Sequence, residues 1–202
     1  MPLDSLFALL GIVLVSAWTP GPNNAMLSAS GASFGYRASV PHILGVALGF
    51  PLMLFVCAMG LGQVVAEGAW LREAMRWVGV ALLIWVAFKI ATAPLPGRAA
   101  GTTTRKPFTF LQAAAFQWVN PKAWAMALGI VAQFVTGAAP LKTGLICAGV
   151  AAIGGLTSAN GWAGFGVLMM RWLRTERRFR AFSLIMASIL MAGVLALVLT
   201  DI

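Results

Sequence analysis

Apolar residues run along this chain in six blocks, parted by short polar or charged segments. The blocks predict helices over about residues 6–33, 40–65, 76–92, 108–135, 143–169 and 181–199, because roughly 20 apolar residues span a hydrocarbon core. Asp, Glu, Lys and Arg are absent from Ser5–Tyr36, Ala38–Ala66, Thr143–Met170 and Ala181–Thr200. The third block is the shortest: only twelve residues separate Arg76 from Lys89. Lys89 is therefore expected to snorkel its amine to the interface. The pattern predicts an all-α integral membrane protein, with residues 1–202 forming one membrane domain. The first block has no positively charged leader region or small-residue cleavage site and is longer than a leader, so it is expected to persist as the first span.

Two blocks are interrupted, one hundred residues apart. Trp18-Thr19-Pro20-Gly21-Pro22-Asn23-Asn24-Ala25-Met26 breaks the first, and Trp118-Val119-Asn120-Pro121-Lys122-Ala123-Trp124-Ala125-Met126 breaks the fourth. A helix broken at membrane depth frees backbone groups that lipid cannot satisfy, so each break must be buried or face a cavity. Three helices per half make the second half enter from the opposite side. The halves, about 1–97 and 107–202, are thus expected to form a 3+3 inverted repeat with broken helices 1 and 4, joined by a loop at about 94–107. Matched breaks of this kind predict a transporter with its site at the midplane.

Composition strengthens the membrane reading: of 202 residues, 60% are hydrophobic and 9% charged, against about a quarter charged in soluble domains. The net charge of +9 does not imply nucleic acid, because most basic residues fall in short loops. Ten of the fourteen (Arg37, Lys89, Arg98, Arg105, Lys106, Arg171, Arg174, Arg177, Arg178 and Arg180) lie on one side. Arg72, Arg76 and Lys142 lie on the other, with Asp4, Glu67, Glu73 and Asp201. The basic side is expected to be cytoplasmic, which puts both termini on the periplasmic side. Cys57 and Cys147 fall in apolar segments and read as small hydrophobes rather than a disulfide.

The breaks carry the candidate chemistry. Pro20, Gly21 and Pro22 free the backbone of the first span. Asn23, Asn24 and Ala25 then start a half-helix whose amides favour a carboxylate, and the asparagine amides suit a zwitterion. Asn120 before Pro121 is placed to cap a second half-helix. Lys122 lies fifteen residues beyond Pro107 and twenty before Lys142, too deep to snorkel easily. A mid-membrane lysine costs about 2.5–3.5 kcal/mol on insertion scales, and no acid lies at its depth. Two roles are open to it: meeting a substrate anion, or tying the fourth helix to carbonyls freed at Pro20–Pro22. Trp124, with Trp18, Trp118, Asn160 and Trp162, is placed to offer an aromatic face or lining to a cationic amine. His42, the sole histidine, reads either as a proton relay or as an idle interfacial residue. Gly45 and Gly49 form a small-xxx-small motif for close helix packing.

Pro20-Gly21-Pro22-Asn23, then Gly31-Ala32-Ser33-Phe34-Gly35-Tyr36-Arg37 and Gly45-Val46-Ala47-Leu48-Gly49, with Asn120-Pro121-Lys122 in the fourth span, resemble the LysE/RhtB family of bacterial amino-acid exporters. The resemblance covers nearly the whole chain in length, span count and motif order. It implies a multi-pass carrier of the bacterial cytoplasmic membrane that exports amino acids or their derivatives on the proton gradient, without a cofactor or an ATP site. No carboxylate lies within the predicted core, so protons would use Lys122, His42, a membrane-edge acid such as Asp4 or Glu67, or the substrate. The partners expected are a small zwitterionic amino acid and membrane lipid, with a homo-oligomer allowed and no nucleic acid. The site is expected at Pro20, Gly21, Pro22, Asn23, Asn24, Asn120, Pro121, Lys122 and Trp124, with no catalytic group and no metal. Other readings are an exporter of inorganic anions or metals, an intramembrane enzyme, and a structural membrane subunit. Metal export should leave carboxylates, histidines or paired thiols in the spans, and an enzyme needs a partnered acid, base or nucleophile.

Overall fold

The computed structural model describes residues 1–95, 106–135, 137 and 139–199. Arg98, Arg105, Asp201 and most of the loop expected at 94–107 lie outside the described residues. Among those described, every regular element is helical. Helix α1 (Leu3–Trp18) is followed by α2 (Pro22–Phe34), and α3 (Tyr36–Val56) continues through a π-turn at Cys57–Leu61 into α4 (Gly62–Glu67). Next come α5 (Ala69–Ala91), α6 (Phe110–Phe116), a 3₁₀ turn at Gln117–Val119, α7 (Pro121–Phe134), α8 (Pro140–Met169) and α9 (Glu176–Leu199).

Four stretches are long and apolar enough to cross a membrane: Tyr36–Val65, Ala69–Ala91, Pro140–Met169 and Glu176–Leu199. The pair α1 and α2, bent by 55° at its break, makes a fifth if taken as one span. Helices α6 and α7 are shorter pieces on either side of the second interruption. Several helices outrun their apolar blocks. The third starts at Ala69 rather than near 76, taking in Arg72, Glu73 and Arg76. The sixth starts at Glu176 rather than near 181, taking in Arg177, Arg178 and Arg180. Hydropathy marks the part of a helix that meets lipid; the backbone stays helical beyond it where charged side chains reach water.

Local sequence sets the joints. Thr19 and Gly21 are extended, and Pro22 opens α2 at a position where its missing amide costs nothing. Gly35, at φ 80°, makes the turn from α2 to α3 in a conformation that other residues rarely adopt. Thr109 and Gln112 start α6 with reciprocal side-chain bonds of 3.3 and 3.0 Å.

The packing is inverted relative to a water-soluble domain. His42 and Gln117 are fully buried, whereas Phe7, Phe88, Leu111 and Leu195 are exposed, as a lipid-facing exterior requires. Helix α8 packs along α1, α2 and α3. Helix α3 is most extensively packed on α8, and α5 on α9, so both pairs join the two halves of the chain. Glycine allows the closest approaches. A Cβ at Gly49 would stand 2.6 Å from Ala114 Cα, and one at Gly45 would strike the backbone of Phe110, so this motif seats α6 on α3. Gly31 and Gly166 do the same between α2 and α8.

Candidate functional site

The two interruptions meet. Helix α1 ends at Trp18, and the extended backbone of Thr19 and Gly21 carries the chain away before the next turn can close on the carbonyls of Ala17 and Thr19. Asn24, buried on α2, donates from Nδ2 to both carbonyls, at 3.0 and 2.9 Å. Ser158 of α8 donates a 2.6 Å bond to the Ala17 carbonyl. The Lys122 amine donates to the Thr19 carbonyl across 103 residues of chain. The Lys122 stem crosses Gly21 so closely that a Cβ there would lie 2.9 Å from its Cδ.

The second break is held from within and from across. Asn120 caps α7 by accepting from the Lys122 backbone amide at 3.1 Å. Gln117, fully buried in the 3₁₀ turn, accepts from Asn23 Nδ2 at 2.9 Å through Oε1 and donates to the Ala113 carbonyl at 2.9 Å. Asn23 and Gln117 therefore join the two breaks side chain to side chain. By contrast, α2 has no side-chain cap at its N-terminus.

Between them lies a partly open cavity of about 60 Å³, bordered by Gly21, Asn23, Asn24, Gln117, Asn120 and Lys122. Leu27, Val46, Phe50 and Met126 supply its apolar walls. That volume holds on the order of four water molecules, the scale of a small polar solute. No Asp or Glu is among the described residues that line it. A lysine amine and an uncapped helix start give the cavity a positive bias, and the carbonyl end of α1 gives it an acceptor edge.

The remaining expected residues are placed differently. Pro20 is exposed and Pro22 buried, the latter beneath Gly193 of α9. Pro121 and Trp124 border a neighbouring cavity instead. Trp124 is buried, donates its indole N–H to the Trp118 carbonyl at 2.8 Å, and meets the Trp118 ring edge-on. Trp18 lies against Gly161 of α8. Asn160 accepts a hydrogen bond from the Tyr36 hydroxyl. His42 is fully buried within the bundle, shares a 2.9 Å hydrogen bond with Ser30, and stacks on Phe108. Its Nε2 has no hydrogen-bond partner among the described residues. Gln117 and Ser158 also line this cavity without being expected there from sequence; each is a polar residue within an apolar block, which is the available signal.

Polar groups gathered where two interrupted helices meet, inside an apolar-faced helical bundle, define the architecture of a membrane carrier. The profile of the LysE type translocator matches residues 14–201, and the chain belongs to that family. It is 37% identical over 110 residues to the cysteine/O-acetylserine efflux protein of Escherichia coli O1:K1 / APEC, covering 54% of each chain. The proteins of the same name from Escherichia coli strain K12 and Shigella flexneri serotype 5b (strain 8401) are 36% identical over 110 residues, again 54% of each chain. The chain spans about half the length of the curated relatives it matches. No solved structure matches it.

Proposed function

We propose that this chain is a secondary carrier that exports a small zwitterionic amino acid, or an amino-acid derivative, across the bacterial cytoplasmic membrane on the proton gradient. The observation that carries the reading is the pairing of opposite helix ends in one cavity. The carbonyl end of α1 and the uncapped amide end of α2 face each other beside the Lys122 amine. Partial negative charge at a helix C-terminus and partial positive charge at an N-terminus match the two charges of a zwitterion. In the resting arrangement Lys122 and the Thr19 carbonyl satisfy each other. An incoming carboxylate takes the amine, and the released carbonyl accepts from the substrate's ammonium. The substrate thus exchanges one internal bond for two of its own, which offsets the cost of leaving water. The names of the efflux relatives support the same substrate class.

Counting α1 with α2, and α6 with α7, as broken spans gives six spans in two halves of three. The pairing of α3 with α8 and of α5 with α9 across the halves suits an inverted repeat, and alternating access then rocks one half against the other. The side bearing Arg37, Lys106 and Arg171 is cytoplasmic, and both termini are periplasmic.

The test is export from dipeptide-fed cells, with intracellular and external amino acids measured over time. Lys122→Ala is expected to lower export by about tenfold or more, the worth of a charge-assisted hydrogen bond, and Asn23→Ala by several-fold. Wild-type export from both variants would sink this site.

A further inference from the structure

Behind the second break lies another cavity, of about 50 Å³, that the transport reading leaves unused. Arg72 and Arg76 of α5 border it on one side, and Trp118, Pro121 and Trp124 on the other. The interrupted segment is its shared wall with the first cavity. Gln117, Asn120 and Lys122 border the first cavity, and Trp118, Val119, Pro121 and Trp124 the second. Both arginines are positioned by backbone acceptors: Arg72 donates to the Val65 carbonyl at 3.4 Å, and Arg76 to the Val198 carbonyl at 2.8 Å. Glu73 flanks Arg76 at 3.5 Å. The two indoles are fixed against each other, 6.3 Å between centroids.

Guanidinium groups bind carboxylates through a planar fork of donors, and indole faces attract ammonium groups. A cavity offering both has the same complementarity to a zwitterion as the first, built from different residues. It also lies at the end of the molecule opposite the arginine-rich turn that follows α8. We propose that it is a second substrate subsite, on the outer side, which receives the amino acid's carboxylate at Arg72 and Arg76 as the substrate passes the second break. This rests on the reading of the chain as an amino-acid exporter. The 3₁₀ turn suits a moving wall, because such turns form the irregular joints of helices.

The test uses the purified full chain in liposomes of uniform orientation, with radiolabelled L-cysteine and O-acetyl-L-serine as counterflow probes. Half-saturation is measured separately at each face, with and without phosphatidylglycerol. Arg72→Gln and Arg72→Lys are expected to raise outer-face half-saturation by about five- to tenfold and to leave the inner face within about twofold, because the fork is lost in both. Trp124→Phe should raise it less. An equal shift at both faces, or none, overturns the subsite while leaving the exporter reading intact. A shift that disappears without phosphatidylglycerol assigns the cavity to a lipid headgroup and overturns it too. Absence of wild-type counterflow with either probe overturns the exporter reading, and the subsite with it.

Discussion

Lys122 shows how a costly residue is retained. A lysine at the centre of a span is unfavourable by about 2.5–3.5 kcal/mol, and the carbonyl of Thr19, which also accepts from Asn24, gives its amine an acceptor that its own helix does not supply. The buried pair Ser30 and His42 follows the same rule at 2.9 Å. Ser30→Ala and His42→Phe should each lower stability in detergent by about 1 kcal/mol, and the double variant should cost clearly less than the sum. Additive losses would show the pair uncoupled. At this scale the sequence was informative where chemistry was rare: Asn23, Asn120 and Lys122 stand out in apolar runs, and all three border the cavity. Trp124 was harder to place. Two positions after Lys122 is roughly 200° around a helix, which turns its side chain to the opposite wall. Gln117 is hard to distinguish in sequence because one amide before a tryptophan gains its meaning only from a partner 94 residues away.

At the scale of elements, the proline and glycine positions were legible and the helix ends were not. Pro20 and Pro22 open the first span because they remove amides, and Pro121 opens α7 because Asn120 caps it. The starts of α5 and α9 lie in charged sequence, where hydropathy is silent and side-chain contacts decide. Arg76, for example, reaches a carbonyl on α9. The alternation of helix directions gives a prediction about sidedness. With the buried thiols Cys57 and Cys147 replaced by alanine, Lys142→Cys should react with an impermeant maleimide on spheroplasts, and Arg37→Cys only after lysis. The reverse pattern would overturn the orientation.

Across the whole molecule, the polar cluster at the two breaks belongs to neither half. The Thr19–Lys122 and Asn23–Gln117 bonds both cross from one half to the other, as does the packing of α3 on α8 and of α5 on α9. That arrangement has a consequence for the order in which the chain is made. When the first span leaves the ribosome, the carbonyls of Ala17 and Thr19 must enter the bilayer while Lys122 and Ser158 are still untranslated. Asn24, five and seven residues away, is the one described side chain bonded to both that is already present. It serves as a local stand-in until the distant partners arrive. Asn24→Ala should therefore reduce the amount of inserted protein more than the transport rate per molecule, and Lys122→Ala should do the opposite. Quantifying membrane-inserted protein beside export separates the two, and equal yields would remove Asn24 from this role. The first break is thus a debt carried through biosynthesis, held by one asparagine until the second half is complete.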